Sequence, residues 1–366
     1  MITEEVVMVQ QAVQQDEMVQ REIRLASARF VLNGADYNDV QRTLARISRW
    51  EDWCREWSAT AAVHEERAKE AEGQGHTISA GEAYIMAGVC YHWAKFRWVE
   101  DEAQYHEAHR KSVETFWKGL KYLDPTAERL EIPLENITMP AHLRRPQGGS
   151  RPPVVILLGG SDSIKEEFYY WAGVFLKRGM ATLAMDGPGQ GETRDKMPVR
   201  HDFEKAVSAA IDFLERRDDV DASTVGVIGQ SMGGYYAPRA AAFDQRIKAA
   251  VALGGALKVT PSPELVQRVT RWQMFTHWCQ TPEEVVEKAA RRNLEGVISN
   301  IRCPLLVVAG KLDALQPWTV TEELARAAGE AAQFVLYEEG NHVMQNIPYK
   351  YQPLVGDWMA EHLRGR

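Results

Sequence analysis

Five short apolar runs, at residues 154–158, 181–184, 225–228, 249–253 and 305–308, alternate with stretches of helical periodicity. A sixth run, Phe334-Val335-Leu336-Tyr337, precedes a last helical stretch. A strand with one wet face alternates apolar and polar residues, so uninterrupted apolar runs belong to strands buried on both faces. With helices between them, these runs dictate a mostly parallel central sheet covered on both sides. Ligands of such sheets bind beyond the carboxyl ends of the strands. Leu130-Glu131-Ile132 and Ile137-Thr138-Met139 read as a leading strand pair turned at Glu135-Asn136, and Arg145-Pro146-Gln147-Gly148-Gly149-Ser150 as an exposed loop.

The chain before Pro125 keeps a different rhythm, helical throughout. Ser79 and Glu82 have the capping-box spacing that starts a helix. That helix is expected to carry Tyr84, Tyr91, Trp93, Phe96 and Trp98. The next ends at Asp124-Pro125, because the residue before a proline is pushed out of helical geometry. No 34-residue self-similarity marks a solenoid, so a helical bundle is expected. The organisation is therefore an N-terminal helical segment, 1–125, and an α/β domain, 126–366. An insertion at about 257–300 holds more chain than one crossover helix needs.

A formal net charge of -8 argues against a nucleic-acid surface, which needs clustered Lys and Arg. The four cysteines are scattered with no CxxC spacing, so neither a metal site nor a disulfide framework is expected, and a reducing cytoplasm fits. The acidic start is unlike a signal peptide, and no apolar run approaches the roughly 20 residues that span a bilayer. No membrane partner and no cofactor are expected.

The run at 225–228 leads into Gly229-Gln230-Ser231-Met232-Gly233-Gly234, which opens another helix. This is G-x-S-x-G in a strand–turn–helix setting, where a sharp turn lifts the serine hydroxyl above the sheet. A serine needs a base to take its proton. Gly340-Asn341-His342 follows the last run and supplies one, with His277 as the rival. His142, His201 and His362 read as surface or loop residues, and the other five histidines fall in the helical half. Asp313, on the loop after the 305–308 run, is placed to hold the imidazole's tautomer, with Asp186 as the competing acid. The oxyanion formed on attack needs fixed donors. One is the backbone N–H of Met232; the other comes from Gly160 or Ser161, after the 154–158 run. Within the insertion, Trp272, Phe275 and Trp278 share roughly one helical face. Each alone reads as ordinary packing, while the segment as a whole suggests a lid over a large, flat or aromatic substrate.

With these motifs in place, the chain resembles the α/β-hydrolase superfamily. More narrowly it resembles the family of carbon–carbon bond hydrolases typified by 2,6-dihydroxypseudooxynicotine hydrolase, with its fungal polyketide-shortening members. The narrower likeness rests on Phe116-Trp117-Lys118-Gly119-Leu120, Leu158-Gly159-Gly160, Lys165-Glu166-Glu167, Asp186-Gly187-Pro188-Gly189-Gln190-Gly191 and the serine turn. It implies hydrolysis of a bond beside a ketone in a small aromatic or 1,3-dicarbonyl substrate, with no cofactor and a homodimeric enzyme. Family members carry acidic residues near the lid, and Glu264 stands in a suitable stretch here. A carboxylesterase, lactonase or amidase is the alternative, because one triad serves many acyl groups. A binding protein that kept the fold would not retain all three triad residues.

Overall fold

A computed structural model describes residues 15–148 and 151–364. Its first part carries helices α1 (Glu17–Leu32), α2 (Tyr37–Leu44), α3 (Trp53–Gly73), α4 (Thr77–Ala94) and α5 (Glu102–Leu123). They close on an aromatic centre in which Phe30 of α1 lies 4.4 Å from Trp93 of α4 and 5.4 Å from Trp57 of α3, centroid to centroid. Helices α4 and α5 approach closely because glycines stand at their crossing. A Cβ on Gly119 would lie 2.6 Å from the Gly81 carbonyl oxygen and 2.8 Å from the Ile85 nitrogen. Overfilling a packed contact costs roughly 1–3 kcal/mol. Gly119→Val is therefore expected to lower the thermal unfolding midpoint; an unchanged midpoint would show that this contact is slack.

Helix α4 differs at both ends from what its sequence pattern predicts. Helix α4 starts at Thr77, with no side-chain cap, so Ser79 and Glu82 lie inside it. The chain reversal at Gly75, φ +77°, and the bond from His76 N–H to Ala71 O set the start instead. The helix also stops at Ala94: Phe96 and Trp98 are buried in the following turn, where Arg97 takes φ +52°.

The second part is built on eight strands: β1 (Glu128–Leu134), β2 (Ile137–Arg144), β3 (Pro153–Leu158), β4 (Ala181–Met185), β5 (Asp221–Gln230), β6 (Ile247–Leu253), β7 (Leu305–Gly310) and β8 (Ala332–Tyr337). They form one sheet in the order β1-β2-β4-β3-β5-β6-β7-β8. The β1–β2 and β2–β4 pairs are antiparallel, and β4, β3 and β5 to β8 run parallel. Alternate residues of the central strands serve opposite faces. Val154, Ile156 and Leu158 join a core with α7 (Glu204–Leu214), α8 (Gly233–Phe243) and α12 (Trp318–Ala328). Val155 and Leu157 join another with α6 (Tyr169–Leu176) and α13 (Pro348–Arg364). Each such side chain stabilises the fold by roughly 1.5–3 kcal/mol on full burial, which is why these runs are apolar but for Thr182 of β4. His142, expected at the surface, is instead buried in β2 and stacked on Trp117 and Phe116, because β2 is covered on both faces.

Between β6 and β7 the chain makes an excursion that carries α9 (Pro263–Arg268), α10 (Arg271–His277) and α11 (Pro282–Ala290). Its two ends are stitched together: Leu294 N–H donates to Leu257 O at 2.8 Å and Val259 N–H to Arg292 O at 3.0 Å. Helix α10 leans on the N-terminal helices, with Trp272 and Phe275 against Tyr105. No helix among the described residues is long and apolar enough to cross a membrane.

Candidate active site

Strand β5 leads directly into Ser231, whose φ of +58° is a left-handed conformation that side chains rarely adopt. The strain is held by neighbours: Ser231 N–H donates to Leu253 O and Gly234 N–H to Ser231 O, each at 2.8 Å. A Cβ on Gly229 would collide with the Gly233 backbone, and one on Gly233 with the Leu158 carbonyl. The turn thus closes only with glycine at both flanks.

Asp313 and His342 hang from the adjacent parallel strands β7 and β8. The two loops touch at Gly310 and Gly340, and Leu312 N–H donates to Gly340 O at 2.8 Å. This brings His342 Nδ1 to 2.7 Å from Asp313 Oδ2 and His342 Nε2 to 2.9 Å from Ser231 Oγ. The other Asp313 oxygen accepts the N–H groups of Leu315 and Gln316, both at 2.8 Å. Its side chain is 5% exposed and that of His342 16%, so the pair is shielded yet reachable.

The rivals are occupied elsewhere. His277 Nδ1 lies 2.9 Å from Gln273 O, and burial together with nearby Arg292 pushes its pKa down to about 3. Asp186 is fully buried; it accepts the backbone N–H of Lys165 at 2.8 Å and that of Glu192 at 3.1 Å, with Lys165 Nζ at 3.0 Å. The Lys165-Glu166-Glu167 and Asp186-to-Gly191 segments therefore meet in a buried ionic cluster.

Gly160 and Ser161 line the same cavity as Ser231 and His342, about 450 Å³ in volume. Gly160 is so close that a Cβ there would lie 3.3 Å from Ser231 Cβ. Met232 stands at the head of α8, with its sulfur 3.3 Å from Arg292 Nη1. Glu264 and Trp272 also line the cavity, beside Arg21 and Arg268. Phe275 and Trp278 do not. The Phe275 ring lies under the Arg194 guanidinium at 3.7 Å, and Trp278 Nε1 donates to Arg194 O at 3.1 Å, so both serve to dock the excursion.

Reading the sequence missed Gln190 and Ser163. Gln190 Nε2 donates to Gly159 O at 3.0 Å and to Gly160 O at 2.7 Å, and Ser163 Oγ accepts the Gly160 N–H at 3.2 Å. A glutamine set among four glycine and proline residues was the available signal, since a long amide in so tight a turn has to reach a partner elsewhere.

Residues 7–275 match the FrsA-like family, described as esterase FrsA-like, and residues 203–362 match the C-terminal domain of BAAT / acyl-CoA thioester hydrolase. The chain is 31% identical over 339 residues to 2,6-dihydropseudooxynicotine hydrolase of Paenarthrobacter nicotinovorans, covering 92% of this chain and 91% of that protein. It is 39% identical over 218 residues to the hydrolyase poxO of Penicillium oxalicum, covering 56% of this chain and about half, 52%, of that longer protein. The crystal structure of 2,6-dihydroxy-pseudo-oxynicotine hydrolase superposes with a TM-score of 0.83 at 30% identity, over 92% of this chain and 95% of that one. The chain is a hydrolytic enzyme of the FrsA-like esterase family, within the α/β-hydrolase superfamily.

Proposed function

We propose that this enzyme is a serine hydrolase that cleaves the carbon–carbon bond beside a ketone in an aromatic or 1,3-dicarbonyl substrate. The observation that carries the reading is the unbroken line of hydrogen-bond contacts Ser231–His342–Asp313, opening onto a cavity walled in part by the 257–300 excursion. Ser231 Oγ attacks the carbonyl carbon while His342 Nε2 takes its proton, and Asp313 steadies the resulting imidazolium. The oxyanion accepts from the N–H of Met232 and of Ser161; the Gly160 N–H is already committed to Ser163 Oγ. Collapse of the adduct expels carbon as an enolate, which His342 protonates. Water then attacks the acyl-serine through the same base, releasing the carboxylic acid and restoring Ser231.

Cleavage at carbon, rather than at an ester, is supported by likeness over nearly the whole chain to a pseudooxynicotine hydrolase. The FrsA-like esterase match supports the second reading, an esterase acting on an aromatic acyl group. Incubation with aryl 1,3-diketones beside aryl esters, with products followed by mass spectrometry, separates them. Release of an aryl carboxylic acid and a methyl ketone from the diketone is expected; turnover of esters alone would rule out carbon–carbon cleavage.

A further inference from the structure

Two arginines of the N-terminal helices reach across to the loop that follows β3. Arg29, on α1, donates from Nη1 to Asp162 Oδ1 at 2.8 Å, and Arg97, in the turn after α4, donates from Nε to Asp162 Oδ2 at 2.7 Å. Arg29 Nη2 also donates to Ser163 Oγ at 3.1 Å, the same hydroxyl that accepts the Gly160 N–H. The rest of its guanidinium forms a two-pronged pair with Glu167, at 2.9 and 2.7 Å. Arg97 Nη1 reaches back to Glu22 at 3.1 Å. Arg29 and Asp162 are both buried. Burial alone pushes the Asp162 carboxyl up, but the charges of Arg29 and Arg97 outweigh it and hold the group well below the usual carboxylate range.

The loop thus has two anchors with one residue between them. On one side, the Gly159 and Gly160 carbonyls are fixed by Gln190. On the other, Asp162 and Ser163 are fixed by arginines more than 60 residues away in sequence. A Gly-Gly-Ser stretch has little stiffness of its own, so its aim is set by these anchors. We infer that Arg29 and Arg97 are positioning residues: by holding Asp162 and Ser163 they aim the Ser161 N–H at the carbonyl oxygen bound over Ser231. The inference rests on the serine-hydrolase reading. It gives the N-terminal helices a part in the chemistry, because they hold the loop that carries one oxyanion donor. A buried ion pair adds little net stability but punishes loss of one partner, which suits a device for geometry.

The test follows the rate at which a fluorophosphonate labels Ser231 in the full-length enzyme, by intact mass, with Arg29→Gln, Arg97→Gln and Ser163→Ala. Phosphonylation places a P=O oxygen where the oxyanion forms. Losing one donor outright costs about 10²–10³-fold, and misaiming it is expected to slow labelling roughly 10–100-fold in Arg29→Gln. Ser163→Ala leaves every ion pair intact and removes only the hydroxyl that links Arg29 to Gly160, so it is expected to slow labelling by less. Phenylboronic acid, which forms a tetrahedral adduct, should lose affinity in the same proportion, while benzoate, a planar product mimic, should not; general damage to the fold would weaken both. Arg178→Gln, which breaks an exposed pair with Asp357, should label at the unaltered rate. Labelling of Arg29→Gln and Ser163→Ala as fast as the unaltered enzyme would overturn the inference and leave the nucleophile standing. Arg97→Gln, which frees one Asp162 oxygen, is also expected to slow labelling. If Arg29→Gln does not fold, Arg97→Gln and Ser163→Ala decide, and both labelling at the unaltered rate would overturn the inference. An unaltered enzyme that never labels at Ser231 would overturn the hydrolase reading, and this inference with it.

Discussion

Ser231→Ala is expected to lower kcat on the order of 10⁶-fold while leaving the fold and its stability nearly unchanged. The size follows from the arrangement. In the proposed mechanism the base and its orienting carboxylate serve one hydroxyl, and the oxyanion donors serve the adduct that hydroxyl forms, so removing it takes away the covalent route as a whole. The small effect on stability follows from the backbone. Alanine at φ +58° bears about the same strain as serine, and the glycines at 229 and 233 that admit the turn are untouched. Steady-state hydrolysis of an aryl ester, with the unfolding midpoint measured alongside, checks both halves. Residual activity above about one part in a hundred would mean that another group is the nucleophile.

Asp313→Asn is expected to lower kcat roughly 10⁴-fold. One Asp313 oxygen accepts two backbone N–H groups, from Leu315 and Gln316, and the other faces His342 Nδ1. Asparagine has a single acceptor oxygen, and the two backbone donors claim it. Its amide NH₂ must then face His342 and donate to Nδ1. The imidazole proton moves to Nε2, where it faces Ser231 Oγ and blocks the uptake it should perform. The change is nearly isosteric, so the midpoint should move little. A loss in kcat of less than tenfold would show that the tautomer is set by some other contact.

The sheet was legible because burial on both faces leaves a one-dimensional mark: the middle of each central parallel strand is an apolar run. The polar residues of β5 and β6, such as Asp221, Ser223 and Lys248, fall near the strand starts. The serine turn was legible for a steric reason, since Gly229 and Gly233 have to lack side chains. Asp313 and His342 followed from chain order, because loops after adjacent strands end side by side. What failed to show was contact without local pattern. Nothing in the neighbourhood of Arg29 announces Glu167, 138 residues on. His142 looked like a polar loop residue because its cover, the rings of Phe116 and Trp117, comes from another helix. The start of α4 was misread because Ser79 and Glu82 carry a capping pattern, while the real start is imposed by the reversal at Gly75. Phe275 and Trp278 each read as ordinary packing within a lid segment, and what no local pattern announces is the partner: Arg194 for both and Tyr105 for Phe275.

The stretch between β6 and β7 leaves and rejoins the sheet at one place, where residues 257–259 lie beside 292–294. Departure and return are already paired, so the intervening chain behaves as a cassette: it can be lengthened, shortened or traded without pulling on either strand. None of Ser231, Asp313 and His342 lies on it. On the proposed mechanism, evolution or a designer can therefore revise what the cavity admits while the reacting groups stay fixed, provided that the replacement keeps side chains to rest on Tyr105 and Arg194.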